Sequence, residues 1–145
     1  MARLIQRFAT SVLSLAVLLV CAPLAAAEDF VVLCHRENPV PSLSKSHLRK
    51  LFTGGIKQWE SGALVQVALI NGNAPETAYL AKMLDMTPWE LTFRIQEQIY
   101  KGEMKRPVAL RSSADCGAFA RATPGAICIS AALHTVPGTR VVPVN

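Results

Sequence analysis

The chain has 145 residues, of which 51% are apolar, and a mean hydropathy of +0.30, so it is too short for two ordinary domains and too apolar to be disordered. Because the amino-terminal segment holds an outsized share of the apolar side chains, the remainder has the composition of one globular domain, which excludes a polytopic membrane protein. The net charge of +5 comes from 15 basic and 10 acidic residues that are scattered along the chain, which excludes the basic stripe typical of nucleic-acid binding.

The amino-terminal segment has the three-part layout of a secretory signal peptide, with a basic start, an apolar stretch over residues 12–20 and three alanines at residues 25–27. We therefore expect a signal peptide over residues 1–27, cleaved after Ala27, followed by a domain over residues 28–145 that is exported to the periplasm. The alternative is an uncleaved anchor, because the apolar segment approaches the length that spans a bilayer.

Three cysteines lie beyond that segment, Cys34, Cys116 and Cys128, an odd number in a compartment that favours disulfides. At most one internal disulfide can form, and three alternatives stay open: reduced and buried thiols, a Cys116–Cys128 bridge or a Cys34–Cys128 bridge. The cysteine spacing matches no metal site, and no metal or other cofactor is expected. Neighbouring side chains of a strand point to opposite faces, so Cys34 and His35 are not expected to form a catalytic pair.

The domain is predicted to begin with a strand followed by a helix. Residues 30–34 are a continuous apolar run of the kind that fills a parallel sheet with both faces covered. In the helix, Ser44 is the expected N-cap, and the spacing of Leu48, Leu51 and Phe52 places them on one face.

The next elements are a second strand and a second helix, joined by a polar turn. The strand, over residues 63–70, is rich in Val and Ile and stops at Asn71-Gly72-Asn73. Pro75 suits the first turn of the helix, whose apolar face holds Leu80 and Leu84.

The clearest local signal is a capping box at Thr87-Pro88-Trp89-Glu90, with proline at the first helical position. The helix that it opens has apolar residues at every fourth position before Gly102, namely Leu91, Ile95 and Ile99. Trp59 and Trp89 lie next to predicted helix boundaries, and both are expected to pack against the sheet edge rather than stack on a ligand.

The rest of the chain predicts a short strand over residues 108–110, a helix capped by Ser112, a buried strand over residues 126–129 and a last strand over residues 140–144. Alternating strands and helices indicate an α/β domain with a mostly parallel or mixed sheet and helices on both faces. The sequence contains no phosphate loop, zinc-protease motif or nucleophile elbow. Because no nucleophile, base and orienting group can be assembled, an enzyme is not expected.

Residues 43–59, LSKSHLRKLFTGGIKQW, resemble a segment of the periplasmic phosphate-binding proteins of ABC transporters, in which Leu-Ser/Thr, a helix and the pattern I-F-x-G-K-I-x-x-W follow one another. The similarity continues at residues 38–40, at residues 67–77 and at Pro124-Gly125-Ala126-Ile127, where the family has P-G-A-I-G-Y. The chain looks most like the short, single-lobe relatives of those proteins. The resemblance implies a periplasmic binding protein type II-like single lobe over residues 28–145. It also implies a small oxyanion such as phosphate as ligand, and a membrane transporter or another envelope protein as partner.

In the phosphate binders that this chain resembles, the loop after the second strand carries an arginine and then Ser-Gly-Thr at a helix N-terminus. Backbone N–H groups and the helix dipole meet the anion there. Thr77 matches that threonine, whereas Asn71 stands in the place of the arginine. Pro75 has no N–H to donate, and Glu76 carries a negative charge where the anion would lie.

Two strand-to-helix loops are predicted to converge at the carboxyl ends of the strands, where open α/β sheets bind their ligands. The candidate ligand-binding residues are Asn71, Gly72, Asn73 and Thr77 in the first loop and Arg111, Ser112 and Ser113 in the second. Arg111 can offer a bidentate fork to an oxyanion. The alternative for the other candidates is a structural role that needs no ligand, because Asn-Gly-Asn suits a turn and Ser112 suits a helix N-cap.

A second hypothesis is a ligand-free protein-interaction module of the cell envelope that keeps the same fold. Pro75 and Glu76 favour this hypothesis, whereas Thr77 and Arg111 favour the solute-binding module. The interaction module would work through a protein partner or as a homodimer whose second copy supplies the missing lobe.

Overall fold

A computed structural model of the chain describes residues 29–145, so the predicted signal peptide and its cleavage after Ala27 lie outside the described residues. Within this range the strands and α-helices follow one another in the predicted order. They are β1 Phe30–His35, α1 Lys45–Phe52, β2 Gln66–Ile70, α2 Pro75–Met83, α3 Pro88–Tyr100, β3 Val108–Leu110, α4 Ser113–Ala122, β4 Ala126–Ala131 and β5 Thr139–Val142. None of these helices combines the length and the apolar character that crossing a membrane requires.

The strands form one mixed sheet in the order β3-β2-β4-β1-β5. β2 pairs in parallel with β3 and β4, whereas β1 pairs antiparallel with both β4 and β5. The expected α/β fold with a mixed sheet is therefore confirmed, but the assignment of residues 30–34 to a parallel part of the sheet is wrong. A continuous apolar run indicates burial on both faces and not strand direction, and β1 is covered on both faces.

Helices cover both faces of the sheet, as predicted. On one face α1, α2 and α3 surround a core that includes Phe52 and Leu91. On the other face α4 contributes Cys116 to a smaller core. β1 supplies both cores, because Val32 points into the first and Leu33 into the second.

The helices begin where the local capping signals place them. The Ser44 hydroxyl accepts a hydrogen bond from the His47 N–H at 3.1 Å at the start of α1. At the start of α3, Thr87 Oγ1 accepts from the Glu90 N–H at 3.1 Å, and Glu90 Oε2 accepts from the Thr87 N–H at 3.3 Å. This reciprocal pair confirms the predicted capping box.

Only β3 has the bounds predicted for it, and β1 and β5 differ from theirs by one or two residues at an end. β2 begins at Gln66, later than expected, because Leu64 forms an isolated bridge with Gln58 instead of joining the strand. β4 extends to Ala131, further than expected, because it pairs with β1 along most of its length. The longer β4 brings its carboxyl end to the same sheet edge as the end of β2.

The two tryptophans lie in opposite environments. Trp59 is 4% exposed, and its Nε1 donates to the Gly125 carbonyl at 2.9 Å. Trp89 is 72% exposed and stacks on Phe93, with ring centroids 5.4 Å apart. The expectation that Trp89 packs against the sheet is wrong, because its position in the capping box places it on the outer face of α3.

The structure also distinguishes between the alternatives for the cysteines. Cys116 of α4 and Cys128 of β4 form a disulfide, 12 residues apart in sequence. Cys34 is free and buried, and this burial raises the pKa of its thiol to about 12, an effect that the charge of Arg140 partly offsets. Cys34 therefore stays protonated at neutral pH, which makes it a poor nucleophile.

Removing the disulfide is expected to lower the free energy of unfolding by about 3 kcal/mol, because the uncrosslinked chain gains entropy in its unfolded state. The variant is Cys116→Ala/Cys128→Ala, and the measurement is equilibrium unfolding in urea. Cys34→Ala is the control, since it keeps the bridge and should lose a similar amount when reductant is added. A wild-type protein whose stability does not change on reduction would contradict the assigned bridge.

Candidate functional site

The carboxyl ends of three adjacent parallel strands, β3, β2 and β4, lie along one edge of the sheet. Ile70 at the end of β2 is paired with Leu110 at the end of β3, and the Asn71 N–H donates to the Leu110 carbonyl at 2.9 Å. The loops that begin at Asn71 and Arg111 therefore start side by side. The first loop leads into α2 on one face of the sheet, and the second leads into α4 on the other face.

The first loop, Asn71-Gly72-Asn73, is an exposed turn. Gly72 has a φ of +76°, a left-handed conformation that favours glycine. Thr77, in the first turn of α2, donates its hydroxyl hydrogen to the Ile70 carbonyl at 2.9 Å. This bond fastens the start of α2 to the end of β2, so the Thr77 hydroxyl already has a structural partner.

The second loop holds its backbone with its own polar groups. Ser112 caps α4 by accepting a hydrogen bond from the Asp115 N–H at 3.4 Å, and the Asp115 carboxylate accepts from the Arg111 N–H at 3.1 Å. The Arg111 side chain is exposed, and its guanidinium forms no ion pair with any residue in the range 29–145. It is therefore the group of this loop that an external anion can reach most directly.

Ser113 joins the two loops through a side-chain hydrogen bond. Its hydroxyl donates to Glu76 Oε1 at 2.6 Å and accepts from the Ala131 N–H at 2.8 Å. Ser113 is buried, and Glu76 lies in the first turn of α2. The Glu76 carboxylate, a negative charge of the protein itself, therefore links the N-termini of α2 and α4. The charge of Glu76 was evident from the sequence but its partner was not, because 37 residues separate the two and no local pattern pairs them.

The positive ends of α2 and α4 border this carboxylate. The first-turn N–H groups of a helix have no acceptor within the helix, and the helix dipole adds partial positive charge there. Pro75 removes one donor from α2, whereas α4 begins with the N–H groups of Ser113 and Ala114. The arrangement can therefore stabilise anionic oxygen near α4 and, through Glu76, accept a hydrogen bond from a hydroxyl group.

A cleft of about 260 Å³ opens between the first loop and α3. Asn71, Gly72 and Thr77 line it, together with Arg106, a cation that no sequence motif marked. Asn73 and the second loop do not line this cleft, so the two loops meet at the sheet edge without sharing one cavity. Larger spaces of about 300 Å³ and 650 Å³ lie elsewhere and include none of the predicted site residues.

Within residues 29–145, His, Cys, Asp and Glu side chains form no group of three or more that could hold a metal ion. The groups that a ligand could contact at this sheet edge are therefore polar and charged side chains and the N-termini of α2 and α4. A five-stranded mixed sheet with helices on both faces matches one lobe of the periplasmic binding protein-like fold.

Solved structures of phosphate-transport proteins share this lobe. The chain is similar to a protein assigned as a phosphate ABC transporter substrate-binding protein of Clostridium perfringens, solved with bound phosphate, with a TM-score of 0.64 and 14% sequence identity. That match covers 81% of this chain and 45% of the other. An ABC-type phosphate transport receptor of Vibrio cholerae matches with a TM-score of 0.57 and 11% identity, covering 81% and 47%. PstS of Borrelia burgdorferi matches with a TM-score of 0.60 and 13% identity, again covering 81% and 47%.

The chain spans less than half the length of these structures. At such low identities the likeness establishes the fold alone. A scan of protein-family models finds no match to the chain, and neither does a search of curated proteins.

Proposed function

We propose that this chain is a solute-binding module of the phosphate-transport type that binds phosphate or a similar oxyanion where the β3, β2 and β4 strands end. The observation that carries the proposal is the meeting of Arg111, the start of α4 and the Ser113–Glu76 pair at this edge. The fold supports it, because the lobe is similar to that of proteins named for phosphate transport.

The chemistry of the site favours an oxyanion that also carries a hydroxyl group. Arg111 and the first N–H groups of α4 can donate to anionic oxygens, with the charge of the guanidinium as the largest attraction. The Glu76 carboxylate repels a fully deprotonated oxygen but accepts a hydrogen bond from a hydroxyl. Phosphate near neutral pH keeps at least one hydroxyl, so it can satisfy both groups at once.

The proposal includes a compartment and a partner. The Cys116–Cys128 disulfide supports an oxidising compartment such as the periplasm, to which the predicted signal peptide over residues 1–27 would direct the chain. A single lobe leaves one side of a bound ion in water, because enclosure requires a concave site. We therefore propose a membrane transporter of the ABC class as the partner that receives the ion, with no nucleic acid and no cofactor involved.

The test is calorimetric titration of the purified protein with phosphate at low salt. Arg111→Ala is expected to weaken phosphate binding by about 1.5–3 kcal/mol, or roughly 10- to 150-fold, because a charge-assisted hydrogen bond is lost. Arg121→Ala is the matched control, since it removes another exposed arginine, which lies at the far end of α4.

Saturable binding that Arg111→Ala weakens and Arg121→Ala leaves unchanged would establish the site. Equal effects of the two substitutions would mean that only net charge attracts the ion. The absence of heat at millimolar phosphate, for a protein that is folded by circular dichroism, would overturn the proposed function.

A further inference from the structure

One face of α3 carries three large aromatic side chains that are exposed to solvent. Trp89 is 72% exposed, Phe93 is 55% exposed and Tyr100 is 93% exposed. At about 3.6 residues per turn these three positions lie within about 40° of one another around the helix axis. They form a continuous stripe, in which Trp89 and Phe93 stack with an interplanar angle of 15°. The buried residues of α3 lie on the far side of the helix, so the stripe belongs to no core of this domain.

Charged residues follow one flank of this aromatic stripe in a regular order. Reading along the helix, they are Glu90, Arg94, Glu97 and Lys101, so that the sign alternates. Lys101 Nζ lies 3.2 Å from Glu97 Oε1 within the same chain, which shows that the two side chains share this flank. Read in the reverse direction, the series is Lys101, Glu97, Arg94 and Glu90. Each place in the reversed series therefore has the charge opposite to that at the same place in the forward series.

We propose that two copies of this chain form a homodimer through α3, with the two helices antiparallel and related by a twofold axis perpendicular to them. Such an axis brings the same flank of each helix together with its order reversed. Glu90 then faces Lys101 of the second copy, and Arg94 faces Glu97 of the second copy. The aromatic stripes meet at the centre, where Trp89 of one helix approaches the end that carries Tyr100 of the other.

The size and the charge of the surface both favour a second copy as the occupant. Aromatic side chains bury about 150–250 Å² each, so the exposed parts of these three offer roughly 400 Å² per copy. With the charged flanks added, two copies approach the roughly 1,000 Å² that a specific interface requires. A membrane surface fits less well, because helices that lie on anionic lipid have flanks rich in Lys and Arg, and this flank has no net charge.

The first test measures the mass of the purified protein by sedimentation equilibrium over a range of concentrations. The wild-type protein is expected to dimerise, and Trp89→Ala/Phe93→Ala is expected to raise the dimer dissociation constant by about 30-fold or more. Both side chains are exposed, so the variant should fold as the wild type does. Leu133→Ala is the matched control, because Leu133 is 93% exposed but lies outside α3, and it should leave the dimer unchanged.

The second test exploits the charged flank. In a homodimer, Arg94→Glu makes two carboxylates face each other, and Glu97→Arg makes two guanidinium groups face each other, so each variant alone should dimerise more weakly than the wild type. Mixed in equal amounts, the two variants should form a heterodimer, because each of its two central pairs joins a carboxylate of the Arg94→Glu copy to a guanidinium group of the Glu97→Arg copy. The mixture should therefore dimerise more tightly than either variant alone.

The double variant Arg94→Glu/Glu97→Arg restores the opposite signs at both central pairs of a homodimer. Its dimer dissociation constant should be lower than that of either single variant, because a carboxylate again faces a guanidinium group across the interface. The recovery of the mixed single variants, together with the recovery of the double variant, is the pattern that this antiparallel pairing requires.

A wild-type protein that stays monomeric at millimolar concentration would overturn the proposal. So would a dimer that Trp89→Ala/Phe93→Ala leaves intact, or a monomer that binds anionic lipid vesicles through Trp89. These outcomes are independent of phosphate titration, because α3 contributes none of the groups proposed to bind the ion.

Discussion

Gly125→Ala is expected to lower the free energy of unfolding by at least about 4 kcal/mol, from backbone strain and the loss of hydrogen bonds. A Cβ atom at this position would overlap the carbonyl oxygen of Leu64, which is a backbone atom. The residue also has a φ of +79°, which is unfavourable for any residue with a side chain. The clash cannot be relieved by rotating a side chain, so the backbone must move.

That movement would disturb the junction from which β2 and β4 start. The Gly125 carbonyl accepts hydrogen bonds from the Gln66 N–H and from Trp59 Nε1, both at 2.9 Å. Gln66 is the first residue of β2 and is paired with Ala126. Shifting Gly125 therefore weakens the parallel pairing of the central strands and releases a buried tryptophan. For a domain of ordinary stability, such a loss leaves a substantial unfolded fraction at physiological temperature.

Gly62→Ala separates the two causes of this effect. Gly62 has a φ of +88°, but a Cβ atom added there would have nothing within 4 Å, so its replacement should cost only about 1 kcal/mol of conformational strain. Both variants would be unfolded in urea and compared with the wild type. If Gly125→Ala costs no more than Gly62→Ala, the contact with Leu64 does not constrain the fold.

Helices were the most predictable part of this protein because their signals are local. Ser44 and the Thr87–Glu90 pair form caps through atoms only three residues apart, and the sequence alone places both helix starts correctly. The Pro-Gly pair before β4 could be located by family resemblance. The physical reason for glycine there is the carbonyl of Leu64, which only the folded chain brings close.

Features that depend on distant contacts were predicted less well. The predicted direction of β1 was wrong because an apolar run is the same in either direction. Trp89 was misplaced because its position beside a helix boundary suggested packing against the sheet edge. At the candidate site the sequence predicted that both loops follow the carboxyl ends of strands. The bond between Ser113 and Glu76 could not be predicted, since it joins two helices on opposite faces of the sheet.

Glu76→Gln is expected to abolish a preference for phosphate over sulfate, and this prediction rests on the proposed function. Sulfate has no hydroxyl at neutral pH, so at the wild-type site it would place an anionic oxygen against the Glu76 carboxylate. Sites that hydrogen-bond a ligand hydroxyl can reject an analogue without it by factors of about 10⁴–10⁵, and the partial exposure of Glu76 reduces this to about 10³. Glutamine keeps an oxygen that accepts from Ser113 and gains an N–H₂ group that donates to either anion.

The phosphate-to-sulfate affinity ratio should therefore fall from about 10³ to about 1 in Glu76→Gln, a change of about 4 kcal/mol in relative binding free energy. Calorimetric titration of both variants with each anion measures the ratio directly. Glu60→Gln removes the same charge from an exposed turn and should leave the ratio at its wild-type value. A ratio near 1 in the wild-type protein would mean that Glu76 does not contact the bound ion, whereas a ratio that falls only in Glu76→Gln would place the ligand hydroxyl on this carboxylate.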